Sequence, residues 1–570
     1  MKKPFGPVLG RCAMAFAVFH PLASAQTWTY PGCKDVTDAD FTYTTIVHRG
    51  QQPDPNLAEP DKMDFDMDAQ GNVDIYYTEI RPGNIKRYSA ATRTVKTLVK
   101  LPNWGLGSDY TVMKNGNNVE EGVTGIALDP DFKKNHYLYI HWSPLPNNLE
   151  VFRISRFTVT GDTILMSSEK VVLEIPAQRQ SCCHTGGAMQ FDAYGDLWIA
   201  QGANGGRSGT NTTTPPEGMD ENKKYESEEW GASSTHGLRG SILRIHPTED
   251  GKYTIPAGNF GDYFFKQTGK PEYADTSKVL PEIFIKGNRN PYSLALDPVR
   301  RWVAWGDIGP DVLSGGVREE LNLRRTPGFE GWPYFVGRNT PFSGGKNADA
   351  PTNTSHWNTG LTALPPARPA FYLHTIGTSP ITGPLYRYDG DLNSSVKLPP
   401  HFNRKLFVTD WGTSQVSVLS LDSAGNTVTG AQKIFANHPF SNPTDFRQGP
   451  DGALYVLNYG PGFFNANGSA SIEKISYKGD CRPSTPKLEQ AVSLARRPGG
   501  SVDERPSGML ANLGADRVVL VPQGMIGFEL FDMNGKRVWD AGSLRGGRSF
   551  RLPADMQAGA LKYRWTPERR

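Results

Sequence analysis

The chain lacks an excess of either charge: 61 Lys and Arg stand against 58 Asp and Glu, leaving +3 over 570 residues. No basic block gathers that excess, so neither nucleic acid nor an anionic membrane is an implied partner. After the N-terminus no apolar run reaches the roughly 18 residues of a membrane-spanning helix. Cysteine is scarce, at five, and the Asp, Asn and Glu spacing of an EF-hand is missing, which excludes that form of calcium loop. Turn formers are plentiful instead. Sixty-one Gly and 44 Pro point to many short strands rather than long helices.

The first 25 residues read differently from the rest. Lys2, Lys3 and Arg11 surround the start of a short apolar run, CAMAFAVF, and Ala23-Ser24-Ala25 offers small residues for cleavage. That is the pattern of a secretory signal peptide, too short for an anchor, and it predicts an exported protein: periplasmic, cell-surface or secreted. Cys12 would leave with the signal. Cys33, Cys182, Cys183 and Cys481 remain, and an even number in an oxidising compartment favours disulfides over metal thiolates. Three pairings are open, among them a ring between adjacent Cys182 and Cys183 with Cys33 joined to Cys481; free thiols are the alternative.

Six segments share one pattern, a turn of Asp, Gly or Asn followed by an apolar, aromatic-rich strand: 66–80, 125–142, 189–202, 293–309, 399–411 and 446–460. A β unit repeated in this way predicts an all-β fold, a six-bladed β-propeller, with long inserts at 203–235 and 310–380. Cys33 precedes the first unit and Cys481 follows the last, so their bond would clasp the ring, worth about 4 or 5 kcal/mol in the chain-entropy account. The propeller is expected over 33–481. A linker is expected over 482–512, where composition shifts to KLEQAVSLARRPGGSVDERPSG, and a small C-terminal β-sandwich over 513–570, rich in alternating strands and Asn-Gly or Gly-Gly turns. The sandwich has no His or Cys, and no catalysis is expected there.

Three stretches carry candidate chemistry. In SCCHTGGAMQFDAYGDLWIAQGANGG (181–206), His184 stands before a strand and beside Gly186 and Gly187, which permit close approach; an imidazole there suits a general base, or caps a turn. In IKGNRNPYSLALDP, Arg289 and Asn290 enter a strand and suit a planar, oxygen-rich acid; Asn290 capping its own turn is the alternative. In WGDIGPDVLSGGVREELNL, the Gly309-Pro310 carbonyls lie near Asp307, Asp311, Glu319 and Glu320, oxygen ligands of the kind calcium takes. Trp332 and Trp411 are candidates to stack on a sugar face, or pack in the core.

In order along the chain, EEGVTGIALDPDF, CHTGGAMQFDAYGDLWIAQG, GNRNPYSLALDP, GDIGP…EELN…GFEGWPYFVG and GPDGALYVLNYG resemble the soluble glucose/sorbosone dehydrogenase family over roughly residues 55–478. The resemblance implies pyrroloquinoline quinone (PQQ) and Ca²⁺ held over the channel of a six-bladed propeller, and oxidation of an aldose or related alcohol with an unidentified electron acceptor. It implies His184 as the base, Arg289, Asn290 and Glu121 as cofactor contacts, and Gly309 and Pro310 as calcium carbonyls. Three cationic positions of the glucose-oxidising members are departed from: Asp410 and Trp411 stand where a lysine is expected, Asn442 and Thr444 where two arginines are, and Arg447 is displaced. Cys182–Cys183 resembles in position the vicinal disulfide beside the quinone in another, eight-bladed class of PQQ alcohol dehydrogenases. The C-terminal stretches GFELFDMNGKRVW and LPADMQAGALKYRW resemble sorting or surface-attachment domains, which implies cell-surface or secretion machinery as a partner. Two other readings stand beside the dehydrogenase: a non-catalytic propeller that binds a glycan or protein at its loop face, and a calcium-dependent lactonase.

Overall fold

The computed structural model describes residues 36–482 apart from several loops, the longest being 104–119, 206–218 and 311–318, and six strands after residue 506. The expected signal peptide, Cys33, Cys182, Asp311 and most of the expected linker lie outside the described residues. Cys183 and Cys481 each enter a disulfide. Among the described residues no helix is long and apolar enough to cross a membrane.

Six units form the ring, each with four antiparallel strands running outward from an innermost strand; the second and third carry further short strands, one of them parallel. The innermost strands are Pro60–Met67, Val123–Leu128, Gly186–Phe191, Ala295–Asp297, Pro380–Leu385 and Pro443–Gln448, in blades 1 to 6. The six repeats of the sequence are the turns that join these strands to their neighbours, or the neighbours themselves. Their recurring Asp has a local cause. Asp68 Oδ1 accepts the N–H groups of Gln70 and Asn72 at 2.9 and 2.8 Å, and Asp192 Oδ1 those of Tyr194 and Asp196 at 2.8 and 3.1 Å. Such side-chain-to-backbone bonds close a tight turn that Gly71 and Gly195 complete with positive φ.

Burial falls from the axis outward. All six residues of Val123–Leu128 are buried, whereas Thr94–Lys100 at the rim of blade 1 buries one. Apolar cores lie between successive blades: Tyr76 and Ile126 between blades 1 and 2, Trp198 and Trp305 between 3 and 4, Ile75 and Tyr455 between 1 and 6. The ring is closed by the chain's first strand. Phe41–His48 pairs antiparallel with Ser471–Tyr477 and completes blade 6, Phe41 opposite Tyr477 and His48 opposite Ser471.

Where the innermost strands converge, the channel is filled by charge. Lys62 Nζ lies 2.7 Å from Asp61 Oδ1, both side chains fully buried, and 3.9 Å from the centre of the Tyr292 ring. The Tyr292 hydroxyl donates to the same Asp61 oxygen at 2.7 Å. Arg447 pairs with Asp445 at 3.0 Å, and the Asp445 carboxylate accepts the Met63 N–H at 2.9 Å. Asp64 accepts the N–H of Leu128 at 2.7 Å. These bonds tie blades 1, 2, 4 and 6 together across the axis, where no apolar side chain could satisfy so many converging polar groups.

Beyond residue 506, Ser507–Leu510, Leu561–Pro567, Met525–Phe531 and Arg537–Asp540 form one antiparallel sheet in that order, and Val518–Leu520 pairs with Ser549–Arg551. Strand pairing therefore begins inside the stretch expected as linker, six residues ahead of 513.

Candidate functional site

In an antiparallel blade, the start of the innermost strand and the end of the second strand lie on one face of the ring. On that face a cavity of about 200 Å³ opens at the channel mouth. Blade 3 contributes Cys183 and His184; blade 4 contributes Arg289, Asn290, Tyr292 and Ile308. Blades 5 and 6 add Ser379, Ile381, Trp411 and Thr444, and Glu120 enters ahead of blade 2. Thus His184 shares one cavity with Arg289 and Asn290, more than 100 positions later in sequence, and Trp411 is in its wall.

The His184 loop is held in an uncommon backbone conformation. Cys183 and His184 have φ 96 and 59, followed by Gly186 at 65 and Gly187 at 111. Left-handed backbone at a residue with a Cβ costs about 1–3 kcal/mol, so the surroundings must hold it. They do so through the peptide groups. Asn204 N–H donates to His184 O at 2.9 Å. Gln201 Nε2 donates to Thr185 O at 3.0 Å, and the Thr185 N–H donates to Glu120 Oε2 at 3.2 Å. Gln201 is itself fixed by fully buried His141, whose Nε2 lies 2.9 Å from Gln201 Oε1 and whose Nδ1 lies 2.7 Å from Thr124 Oγ1. Burial pulls the His141 pKa down to about 4, so that ring stays neutral and can donate at one nitrogen while accepting at the other.

Gly202 makes this fit possible, since a Cβ there would lie 2.0 Å from His184 O. Gly202→Ala is expected to cost about 1–3 kcal/mol through overpacking, read as a lower midpoint in denaturant. A variant with the wild-type midpoint would mean that the loop yields without strain.

Behind the imidazole stands a residue that sequence reasoning missed. Glu228 Oε1 lies 3.5 Å from His184 Nδ1, with side-chain exposures of 0% and 3%. Glu228 opens the short helix Glu228–Gly231 in the first long insert, and the Ser227 side chain caps that helix by accepting the Trp230 N–H at 3.2 Å. Ser-Glu-Glu before an aromatic is a readable helix start, though nothing in it points towards His184. A Cβ on Gly205 would meet the Glu228 carboxylate at 1.8 Å, so the glycine after the second strand of blade 3 leaves room for it.

Glu121, expected at the cofactor, is turned away from the cavity: its carboxylate pairs with Arg179, both side chains almost fully buried. Successive residues of an extended segment face opposite ways, and it is Glu120 that reaches the cavity, where Oε2 also accepts from Asn290 Nδ2 at 3.4 Å. Gly309 and Pro310 line a smaller adjoining hollow with Asp307, Glu320, Glu330 and Trp332, which meets the first at Arg289. Glu319 Oε2 accepts the Gly309 N–H at 2.9 Å. Burial pushes the Asp307 carboxyl up to about 7 and raises Glu320 well above the usual carboxylate range, the charge of Asp307 adding to the latter. Trp332 is 3% exposed, packs on Phe342 at 5.1 Å and lies 5.7 Å from the Arg289 guanidinium; it lines the hollow and not the cavity. Among the described residues no group of three or more His, Cys, Asp or Glu side chains is arranged to hold a metal ion.

The departures from the cationic positions can now be placed. Trp411 and Thr444 face the cavity, Asn442 Nδ2 donates to Trp411 O at 2.8 Å, and Arg447 is committed to Asp445 inside the channel. Arg289 is the cation among the described residues that lines the cavity, opposite one carboxylate, Glu120.

A sequence model of the Glucose / Sorbosone dehydrogenase family matches residues 57–462, which hold the first five blades and the two inner strands of the sixth. The chain is 24% identical over 381 residues to the aldose sugar dehydrogenase YliI of Escherichia coli K12, covering 66% of this chain and 82% of that protein. It is 25% identical over 291 residues to the quinoprotein glucose dehydrogenase B of Acinetobacter calcoaceticus, covering 50% and 52%. The fold is that of a putative oxidoreductase (glucose dehydrogenase) of Thermus thermophilus, with a TM-score of 0.51 at 22% identity over 76% of this chain and 99% of the other.

Proposed function

Because the chain belongs to the glucose/sorbosone dehydrogenase family, we propose that it oxidises the hydroxyl of an aldose or related sugar, with PQQ as hydride acceptor and calcium beside it. The observation that carries this reading is the meeting of His184, Arg289 and Asn290 in one cavity, with a carboxylate behind the imidazole.

The wall suits a flat, oxygen-rich anion. Arg289 offers a planar fork of donors and Asn290 an amide, while Ile308, Ile381 and Trp411 give apolar surface for a ring. With one cation and one carboxylate among the described residues of that wall, a divalent ion would supply counter-charge to a tricarboxylate. Gly309 and Pro310 carbonyls, next to Arg289, are the oxygen donors we assign to it. When bound, the quinone supplies a two-electron acceptor and calcium a Lewis acid. The chain's own part is positioning and proton removal. His184 Nδ1 faces Glu228 at 3.5 Å; the imidazole is the base we assign to the hydroxyl proton, and the carboxylate would stabilise the imidazolium that forms. The departures at Asp410, Asn442 and Thr444 favour the second reading, a propeller that keeps its cavity for glycan or protein recognition without redox chemistry. Export through the N-terminal segment, the Cys33–Cys481 and Cys182–Cys183 pairings, and a sorting role for the C-terminal strands belong to the same proposal.

Titration of the calcium-saturated protein with PQQ, followed by tryptophan quenching, separates the two. We expect a Kd tighter than about 1 μM, roughly 8 kcal/mol, and at least about tenfold weaker binding in Arg289→Ala, where a charge-assisted pair is lost. No binding up to about 100 μM would sink the quinone reading and leave the recognition scaffold. A sugar screen with a dye acceptor then identifies the substrate.

A further inference from the structure

We propose that Asp307 is the positioning residue of the cavity: its carboxylate holds the peptide that presents Arg289 and Asn290 to a bound anion. The inference rests on the reading of the cavity given above and deepens it. Asp307 ends the second strand of blade 4 and is 5% exposed. Its Oδ2 accepts the Arg289 N–H at 3.1 Å, and its Oδ1 accepts the Asn290 N–H at 2.7 Å. It lines the adjoining hollow and does not enter the cavity itself.

Two successive amides that point at one side chain need two acceptors. A carboxylate has them; an amide side chain offers one acceptor and turns a donor towards the second N–H. Other bonds hold the same segment to its neighbours: Ile308 N–H to Asn290 O at 3.1 Å, Ala203 N–H to Arg289 O at 2.9 Å, and Arg289 Nη1 to Ile308 O at 3.0 Å. The strand entrance would therefore survive loss of the carboxylate, while the aim of the two side chains would not. Burial and a neighbouring carboxylate oppose the charge, while the two N–H groups and the Arg289 guanidinium favour it. Glu320 and Glu330 line the same hollow, and a buried carboxylate facing others is a cost to the fold. What the carboxylate supplies that a neutral side chain would not is the paired hold on Arg289 and Asn290.

The experiment uses the full-length, calcium-saturated protein and the near-isosteric Asp307→Asn. Amide hydrogen exchange, read by mass spectrometry on a peptide spanning 287–292, is expected to quicken about tenfold, one hydrogen bond's worth, with the thermal midpoint held or raised. The PQQ Kd is expected to rise about tenfold in the single variant and less than about twofold when Arg289 is already Ala, because the two act as one unit. Glu319→Gln, which loosens the Gly309 N–H instead, should leave exchange at 287–292 unchanged. Unchanged exchange in Asp307→Asn overturns the inference, as do a lowered midpoint with exchange quickened throughout and a Kd effect fully additive with Arg289→Ala. A wild-type protein that binds no quinone overturns the reading of the cavity, and the exchange result alone then decides whether Asp307 holds this peptide.

Discussion

Replacing His184 with Gln is expected to lower turnover about 10²–10⁴-fold, the range a positioned general base contributes, with PQQ affinity changed far less. His184 is 2% exposed, at the edge of the cavity, on a backbone that neighbouring peptides keep left-handed. So much local constraint around one side chain is the arrangement that presents a base at a fixed angle. Glu228→Gln separates this role from a structural one. It keeps the size of the side chain behind Nδ1 and removes its charge, so kcat should fall while KM stays near the wild-type value, the pattern of an interaction made in the transition state. Stopped-flow reduction of the bound quinone by sugar checks both. His184→Gln turning over within about threefold of wild type would be far below that range and would remove the residue from the chemistry.

Lys62→Met is expected to cost about 3–5 kcal/mol, the usual penalty when one member of a buried ion pair is deleted and the other stays charged. Asp61 is fully buried, and Asp445 adds its charge nearby. Burial already raises the Asp61 carboxyl, and Lys62 is the strongest influence pulling it back. Without the lysine, folded Asp61 keeps its proton over a wider pH range than it does unfolded. The folded state then binds more protons than the unfolded chain, so stability falls as pH rises. The defect should be smallest near about pH 5 and grow towards about pH 8, and Asp61→Asn in the same chain should recover part of it. Denaturant unfolding at the two pH values reads this directly. A loss that does not change with pH would mean that Asp61 is not the group left exposed to its own charge.

The ring was legible because its inner hairpins repeat a turn with a chemical cause, an Asp side chain accepting backbone N–H groups beside a glycine. Rim strands carry less of the core: Thr94–Lys100 buries one side chain in seven. At the site, residues next to a strand entrance could be found from sequence, which is how His184, Arg289 and Asn290 emerged. Those that depend on which way an extended segment faces could not, and Glu121 was read where Glu120 reaches the cavity. Glu228 comes from a Gly- and Thr-rich insert whose path no local pattern dictates. Lys62 lies in DKMDFD, which looks like a solvated run until six strands close around it. Gly309 and Pro310 lie in the hollow next to the cavity.

The first strand of the ring has consequences for how the molecule is made. Phe41–His48 leaves the ribosome well ahead of its partner Ser471–Tyr477, which lies more than 400 residues later. Until that partner is synthesised, blade 6 lacks its two outer strands and the first strand has no sheet to join. Contacts this distant in sequence make folding slow, and unpaired strand edges on a partly built ring invite aggregation and proteolysis. A chain truncated anywhere before residue 471 therefore yields an open arc with two sticky edges, and the cavity at its centre exists only after the last blade has arrived.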